Sequence, residues 1–486
     1  MTNLVRRSDV VLFPNPRRVL ARLFLPGQEL HYQGVSRADA IIGRVMVMSD
    51  EHVRTTLKSV HYQFSGRHRD ISAIFSDHFG LVRHRIKGAL PVGPRAQLIG
   101  ACFTQEYAVE AAALFNPSIV AHPDQSDLRP GELRFVMSLR AVGEGHTSSI
   151  EFRTGVIGPD GSLDVDEPAP YLEVGRFGPA PLSRELIRAM LDDDTSSYVL
   201  SLLPAEFDLS VLESALASVG RDRLTRASTD ALIDRIRQIA AGGYRLEFDT
   251  DIPLSARTIF PSTEGESHGI EDARFARFVE DDGTISYYAT YTAFDGERVS
   301  PRLVRTHDFT TFEVSQLAGQ SAQDKGMALF PRRIDGSYWM LSRWDRENVS
   351  VARSDDLRIW GDATTVHRPT EPWEVIQLGN CGSPIETEAG WLVLTHGVGA
   401  VRTYAMGAIL LDLADPTRVI GRLTEPLLIP EGRERNGYVP SVVYSCGALI
   451  HGDVLVLPYG CSDSAVRFGF VDVKRLLGRI LGSPSD

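Results

Sequence analysis

Cysteine is scarce, with four residues in 486, and none of Cys102, Cys381, Cys446 and Cys461 forms a CxxC pair. A disulfide scaffold is therefore excluded, and no histidine lies at zinc-ligand spacing from these thiols. Long apolar runs are missing as well. No window approaches the roughly 18 uncharged apolar residues of a membrane helix. The opening stretch MTNLVRRSDVVLFPNPRR has only a short apolar run, broken at Pro14, where a signal peptide needs a longer core. Positive charge is in deficit: 51 Lys and Arg face 63 Asp and Glu, a net charge of −12. That is the wrong sign for generic attraction to phosphate backbones or anionic lipid. Neither nucleic acid nor a membrane is expected as a partner, and a reduced, cytoplasmic location is the simplest expectation. No P-loop, Rossmann glycine fingerprint or nucleophile elbow occurs. Glycine and proline, by contrast, are plentiful at 42 and 27 and are dispersed along the chain, which implies many turns.

The first hundred residues have a texture of their own. Ser49 is placed to cap a helix in which Val53, Leu57 and Val60 share one face, and residues 70–86 repeat apolar side chains at helical spacing. Residues 1–98 are therefore expected to form a mainly helical N-terminal extension. From residue 99 short apolar runs alternate with Gly, Asp and Asn. Five similar strands recur at residues 132–141, 286–296, 337–345, 390–399 and 453–463. Tyr288, Trp339 and Trp391 step by about 50 residues, the period of a propeller blade. A second repeat, THDFTTF at 306–312 and SDDLRIW at 354–360, runs in phase with the first. The expected fold class is an all-β five-bladed β-propeller over residues 99–478, with the N-terminal helical region and a helical insertion at about 165–245. Within the insertion, helices are expected at Ser183–Asp193, Asp208–Gly220 and Ser228–Gly243.

The inner strands of a propeller converge on one end of its channel, so polar residues at the ends of the repeated strands are the first place to look for chemistry. The densest cluster is GIEDAR, residues 269–274, where alternation on an extended chain sends Glu271 and Asp272 to opposite faces. Asn116 and Ser118 precede the first repeated strand, which ends at Arg140. Lys325 precedes the third, which ends at Arg343 and Asp345. Glu386 precedes the fourth, which closes on His396, and Tyr438 precedes the fifth, which ends at Asp463. Carboxylates, cations and aromatic rings in a funnel suit carbohydrate chemistry, in which an acid protonates a leaving oxygen. Trp344, beside Arg343, is the best candidate for stacking on a sugar.

Several segments together resemble glycoside hydrolase family 130, the β-mannoside phosphorylases and mannosidases. They are FNPSIV (115–120), GIEDAR with YYATYTAFDG, DKGMALFPRRI (324–334), YWMLSRWD, NCGSPIETEAGWLVLTHGVG (380–399), YAMGAILLDLADPTRVIGR (404–422) and GYVPSVVYSCGALIHGD (437–453). The resemblance implies a five-bladed propeller, a β-mannooligosaccharide substrate and no cofactor, with inorganic phosphate as co-substrate in phosphorylase members. It places the general acid on Asp272, acting through a hydroxyl of the bound mannosyl unit, with Ala273 where the family usually has proline. It puts Asn116, Ser118 and Arg140 near the mannose and phosphate subsites, Lys325 and Arg343 on phosphate, and His396 in the same pocket. No metal is implied.

One departure bears on the reaction. Phosphorylases of this family usually read P-x-K where this chain has Pro384-Ile385-Glu386, so Glu386 replaces a phosphate-binding cation. A carboxylate there suits a base that activates water, as inverting hydrolysis requires at about 6.5–9.5 Å from the acid. Glu434 is a weaker candidate for the same role. The leading expectation is thus inverting hydrolysis of β-mannosides, most simply β-1,2-linked, by Asp272 and Glu386. A phosphorylase releasing mannose 1-phosphate is the alternative, and a non-catalytic sugar-binding propeller is the third reading. The helical additions are a candidate contact surface for a homo-oligomer.

Overall fold

The computed structural model describes residues 4–27, 36–191, 194–219 and 226–482. They divide into two compact units. The larger takes in the described residues within 1–14, 112–167 and 174–486, and the smaller those within 15–111 and 168–173. Among the described residues no helix is long and apolar enough to cross a membrane.

In the smaller unit, helices Arg37–Met46, Asp50–Phe64, Ile71–Val82 and Pro94–Cys102 accompany a two-stranded antiparallel sheet of Val19–Leu23 and Thr104–Ala108. Ser49 caps the second helix by accepting the His52 N–H, and Asp70 caps the third by accepting that of Ala73. Ile42, Val45, Val53, Val82, Leu98, Ile99 and Phe103 form the core. Gly100 lets the third and fourth helices meet: a Cβ there would lie 1.8 Å from the Phe75 carbonyl oxygen.

The larger unit contains five antiparallel sheet segments in succession, the first two joined into one twelve-stranded sheet by the parallel pairing of Gly269 with Ser148. The repeated segments form the second strand of each: Leu133–Val142, Ile285–Phe294, Tyr338–Ser342, Gly390–Val398 and Val454–Cys461. Ala113–Ala121, Gly269–Val279, Ala328–Leu329, Gln377–Asn380 and Val443–Tyr444 precede them as first strands. Backbone and side-chain hydrogen bonds tie each sheet to the next. Phe275 N–H donates to Ser118 Oγ between the first and second, and Val279 N–H to Pro331 O between the second and third. Asn380 Nδ2 donates to Gly326 O between the third and fourth, and Tyr404 N–H to Ser441 O between the fourth and fifth. Cys446 N–H donates to Pro117 O at 2.8 Å and links the fifth sheet back to the first.

Two boundaries differ from the expected ones. The helical region does not begin at residue 1. Val5–Leu12 is a strand that pairs with Ala465–Asp472 and completes the fifth sheet, so the smaller unit starts only at Asn15 and extends to Ala111. The insertion carries helices Arg184–Leu191, Asp194–Ser201, Leu209–Val219 and Arg226–Ala241 around a core that includes Ile187, Leu212, Leu216 and Ile236. It is framed by strands Arg176–Pro179 and Tyr244–Glu247, which extend the second sheet beyond Thr311–Gln316. The helix ends expected at Asp193 and Gly220 lie outside the described residues.

The strand at Val5–Leu12 is fixed by charge as well as by pairing. Arg7 bonds the buried Glu434 through Nε at 3.2 Å and the Ile429 carbonyl at 2.8 Å, while Tyr459 OH donates to Glu434 at 2.8 Å. Arg7→Ala leaves this carboxylate short of its cationic partner. Chemical denaturation is expected to show a loss of about 1–3 kcal/mol.

Candidate active site

A cavity of about 210 Å³ opens where the five sheets converge. Its walls carry Asn116, Arg140, Glu271, Asp272, Arg274, Lys325, Arg343, Gln377, His396, Arg402, Tyr404, Val439, Val442, Tyr444 and Asp463. Two β-bulges shape its floor. The first-sheet register shifts between Phe115 and Ser118, and the second-sheet register between Glu271 and Arg274. Each gains one extra residue on the bulged strand, and Asn116 and Asp272 take up left-handed conformations with φ of +50° and +59°. Such backbone is sparsely populated by residues other than glycine and collects at functional sites. Here it brings Asn116 Nδ2 within 2.7 Å of Asp272 Oδ1. The bulge also corrects the alternation argument: Glu271 and Asp272 both face the cavity, because the extra residue breaks the period of two.

Three cations, Arg140, Arg274 and Lys325, surround this pair of carboxylates, and Arg343 lines the same cavity. Arg140 reaches Glu271 at 2.8 Å and Asp272 at 3.5 Å, and Lys325 bonds the other Glu271 oxygen. Arg274, almost fully buried, donates to the Asp272 carbonyl, the Cys381 carbonyl and Tyr444 OH at 2.8–3.0 Å. Arg343 lies 3.4 Å from His396 Nε2 and 3.5 Å from Asp324. Burial raises the Asp272 pKa, but Arg140, Arg274, the Asn116 hydrogen bond and Lys325 together hold it below the ordinary carboxylate value. Burial, reinforced by Arg343 and Arg274, pushes His396 well below the usual histidine range, so its imidazole is neutral. Asp463 is shifted the other way: burial and the nearby Asp272 charge push it up to about 6.

In all, five cationic side chains face three carboxylates on the cavity wall, in a protein of net charge −12. Arg140 Nε, Arg343 Nε, His396 Nδ1 and Asn116 Oδ1 are buried there without a hydrogen-bond partner. Buried polar atoms are rarely left unpaired, so this cluster is suited to a polar, anionic ligand. Among the described residues no group of three or more His, Cys, Asp or Glu is arranged to hold a metal ion.

Of the residues expected from sequence, Asp272, Asn116, Arg140, Lys325, Arg343, His396 and Asp463 come together here. Four do not line the cavity. Glu386 is paired in bidentate fashion to Arg332 at 2.6 and 2.8 Å, and that guanidinium sits 4.9 Å over the Trp391 ring. The charge that suggested a water-activating base is thus spent on Arg332, in the segment after strand Ala328–Leu329. Ser118 is fully buried and positions the Asp272 strand through Phe275 N–H. Asp345 closes its own turn by accepting from the backbone of Glu347 and Asn348. Tyr438 is 55% exposed beside the cavity-lining Val439. Glu434 is also buried elsewhere, between Arg7 and Tyr459, and Trp344 is not part of the wall.

Gln377, Arg402, Tyr404 and Tyr444 line the cavity without having been anticipated. For Arg402 a signal existed. Val398-Gly399-Ala400-Val401-Arg402-Thr403 follows the fourth repeated strand as Val142-Gly143-Glu144-Gly145-His146-Thr147 follows the first. Both segments close the same turn, with the glycine N–H bonded to the threonine carbonyl at 2.9 and 3.0 Å.

Known proteins are similar to part of this chain. Residues 252–480 match the family model described as beta-1,4-mannooligosaccharide phosphorylase. A 1,2-beta-oligomannan phosphorylase of Thermoanaerobacter sp. (strain X514) is 36% identical over 218 residues, covering 44% of this chain and 71% of the relative. A beta-1,2-mannobiose phosphorylase of Listeria innocua is 36% identical over 230 residues, covering 46% of this chain and 63% of the relative. The solved structure of a Listeria innocua beta-1,2-mannobiose phosphorylase superposes with a TM-score of 0.47 at 21% identity, covering 77% of this chain and 93% of that one. The chain belongs to glycoside hydrolase family 130 and is an enzyme acting on glycosides.

The raised Asp463 pKa has a measurable consequence. As pH falls through about 6, Asp463 takes up a proton and the cavity loses a negative charge, while His396 and Asp272 titrate below that range. Sulfate, which stays dianionic throughout, is expected to bind more tightly below pH 6 than above it. Asp463→Asn should flatten that dependence in calorimetric titrations.

Proposed function

We propose that the larger unit is a five-bladed β-propeller and that the protein is an inorganic-phosphate-dependent β-mannoside phosphorylase acting on β-1,2-linked mannosides. The observation that carries this reading is the excess of cations in the cavity, with buried, unpaired nitrogen atoms on Arg140 and Arg343. The phosphorylase names of the relatives support it. The hydrolytic reading depended on Glu386, which is engaged with Arg332 outside the cavity.

In this proposal phosphate lies against Arg343, Lys325 and their neighbours, and one of its oxygens forms a bond to the anomeric carbon. The bond from that carbon to the glycosidic oxygen breaks on the opposite side, and its electron pair leaves with that oxygen. Asp272 supplies the proton that the leaving oxygen takes up, directly or through a substrate hydroxyl. Inversion turns a β-mannoside into α-mannose 1-phosphate and a free sugar. The cations that meet phosphate in this proposal include Lys325, one of the groups that keep the Asp272 carboxylate ionised. Phosphate offsets their charge on binding, which moves Asp272 toward the protonated form that an acid needs. The neutral His396 lends the site a hydrogen-bonding group without adding to its charge.

Incubation with β-1,2-mannobiose, with and without inorganic phosphate, tests the reading. Mannose and mannose 1-phosphate formed only when phosphate is present is the expected result, whereas mannose alone in both tubes overturns it. Asp272→Asn is expected to lower turnover by about 10²–10⁴-fold. Lys325→Ala and Arg343→Ala should raise the KM for phosphate by about ten- to a hundredfold.

A further inference from the structure

Two aromatic rings stand beside the cavity rather than in it. Tyr438 is 55% exposed, next in sequence to the cavity-lining Val439. Its ring centre lies 6.0 Å from that of His146, the planes are 32° apart, and its hydroxyl is 3.0 Å from His146 Nδ1. The other end of Tyr438 is held too. Its backbone N–H donates to Ser464 Oγ at 2.7 Å, and Ser464 follows the cavity-lining Asp463.

His146 is equally constrained. Its N–H donates to the Gly143 carbonyl at 3.2 Å, and its own φ is +62°. The matching turn of the fourth sheet gives Arg402 a φ of +55° and places that side chain on the cavity wall. His146 is therefore the first sheet's counterpart of a residue already in the site. An exposed tyrosine is ordinary on a protein surface. One fixed at both its backbone and its hydroxyl, against a second ring held in left-handed backbone, has lost freedom that solvent does not repay.

We infer that His146 and Tyr438 form a binding platform for the leaving sugar unit of the β-mannoside, an inference that rests on the β-mannoside reading above. Asn116, Asp272, Arg274 and His396 are buried groups of the cavity wall, so the ring whose anomeric carbon meets phosphate and the acid is assigned to them. The next ring then points toward the mouth, where the apolar C–H face of a pyranose meets the exposed face of the aromatic pair while its hydroxyls remain in water.

Steady-state kinetics on β-1,2-mannobiose and calorimetric binding to the Asp272→Asn protein test this together. In Tyr438→Ala and His146→Ala the KM for mannobiose should rise about three- to tenfold, with the KM for phosphate unaltered, and Tyr438→Phe should keep most of the wild-type value. The Asp272→Asn protein should bind mannobiose more tightly than mannose, and adding Tyr438→Ala should remove that preference. An unchanged mannobiose KM, or an equal rise in the KM for phosphate, overturns the platform. Should the wild type cleave mannobiose without phosphate, phosphorolysis falls but the binding arm still decides. A preference lost with Tyr438→Ala supports the platform, a preference retained overturns it, and binding of neither sugar overturns both readings.

Discussion

The Asp272 carboxylate, held among Arg140, Arg274 and Lys325, is the interaction on which the larger unit turns. Arg274 donates into the fourth sheet at Cys381 and the fifth at Tyr444, while Arg140 reaches in from the first and Lys325 from the third. A single buried charge cluster therefore involves all five sheets. Its geometry needs two bulges with left-handed residues, each a cost of about 1–3 kcal/mol that the surrounding hydrogen bonds must offset. Asn116 and Asp272 share that strain and bond to each other, so neither bulge is free to relax alone.

Much of this arrangement was legible in the sequence because it follows the period of the strands. Arg140, Arg343, His396 and Asp463 were found by their common phase at the ends of repeated segments, and all four reach the cavity. What the pattern hides is any place where the period breaks. Alternation separated Glu271 from Asp272, and a bulge reunites them. Glu386 stood where the family resemblance implied a phosphate-binding cation, yet Arg332 lies close enough to pair with it. Arg402 and Tyr404 sit in and just after a turn, where no alternation applies. The strand at Val5–Leu12 was missed because its partner is at the far end of the chain, and VRRSDVVL alone carries no mark of that pairing.

The charge balance of the whole chain and that of its cavity run in opposite directions. A surface rich in Asp and Glu repels polyanions, while a few buried guanidinium groups provide a small, selective well for one anion. Neutral His396 adds no charge to that well, and Asp463 contributes a negative charge only above about pH 6. The balance is fine enough that one proton on Asp463 alters it.

The pairing of Val5–Leu12 with Ala465–Asp472 sets the order in which the protein can be completed. On the ribosome this strand emerges before every other element of the sheet it finishes, and it must wait unpaired until the last strand follows. An unpaired edge is a hazard for wrong association while the chain is growing. The run Arg6, Arg7, Ser8 and Asp9 in its middle supplies charge that discourages pairing with other nascent strands. In the folded chain the same Arg7 pairs with Glu434, so a charge that interrupts the strand's apolar run also anchors it.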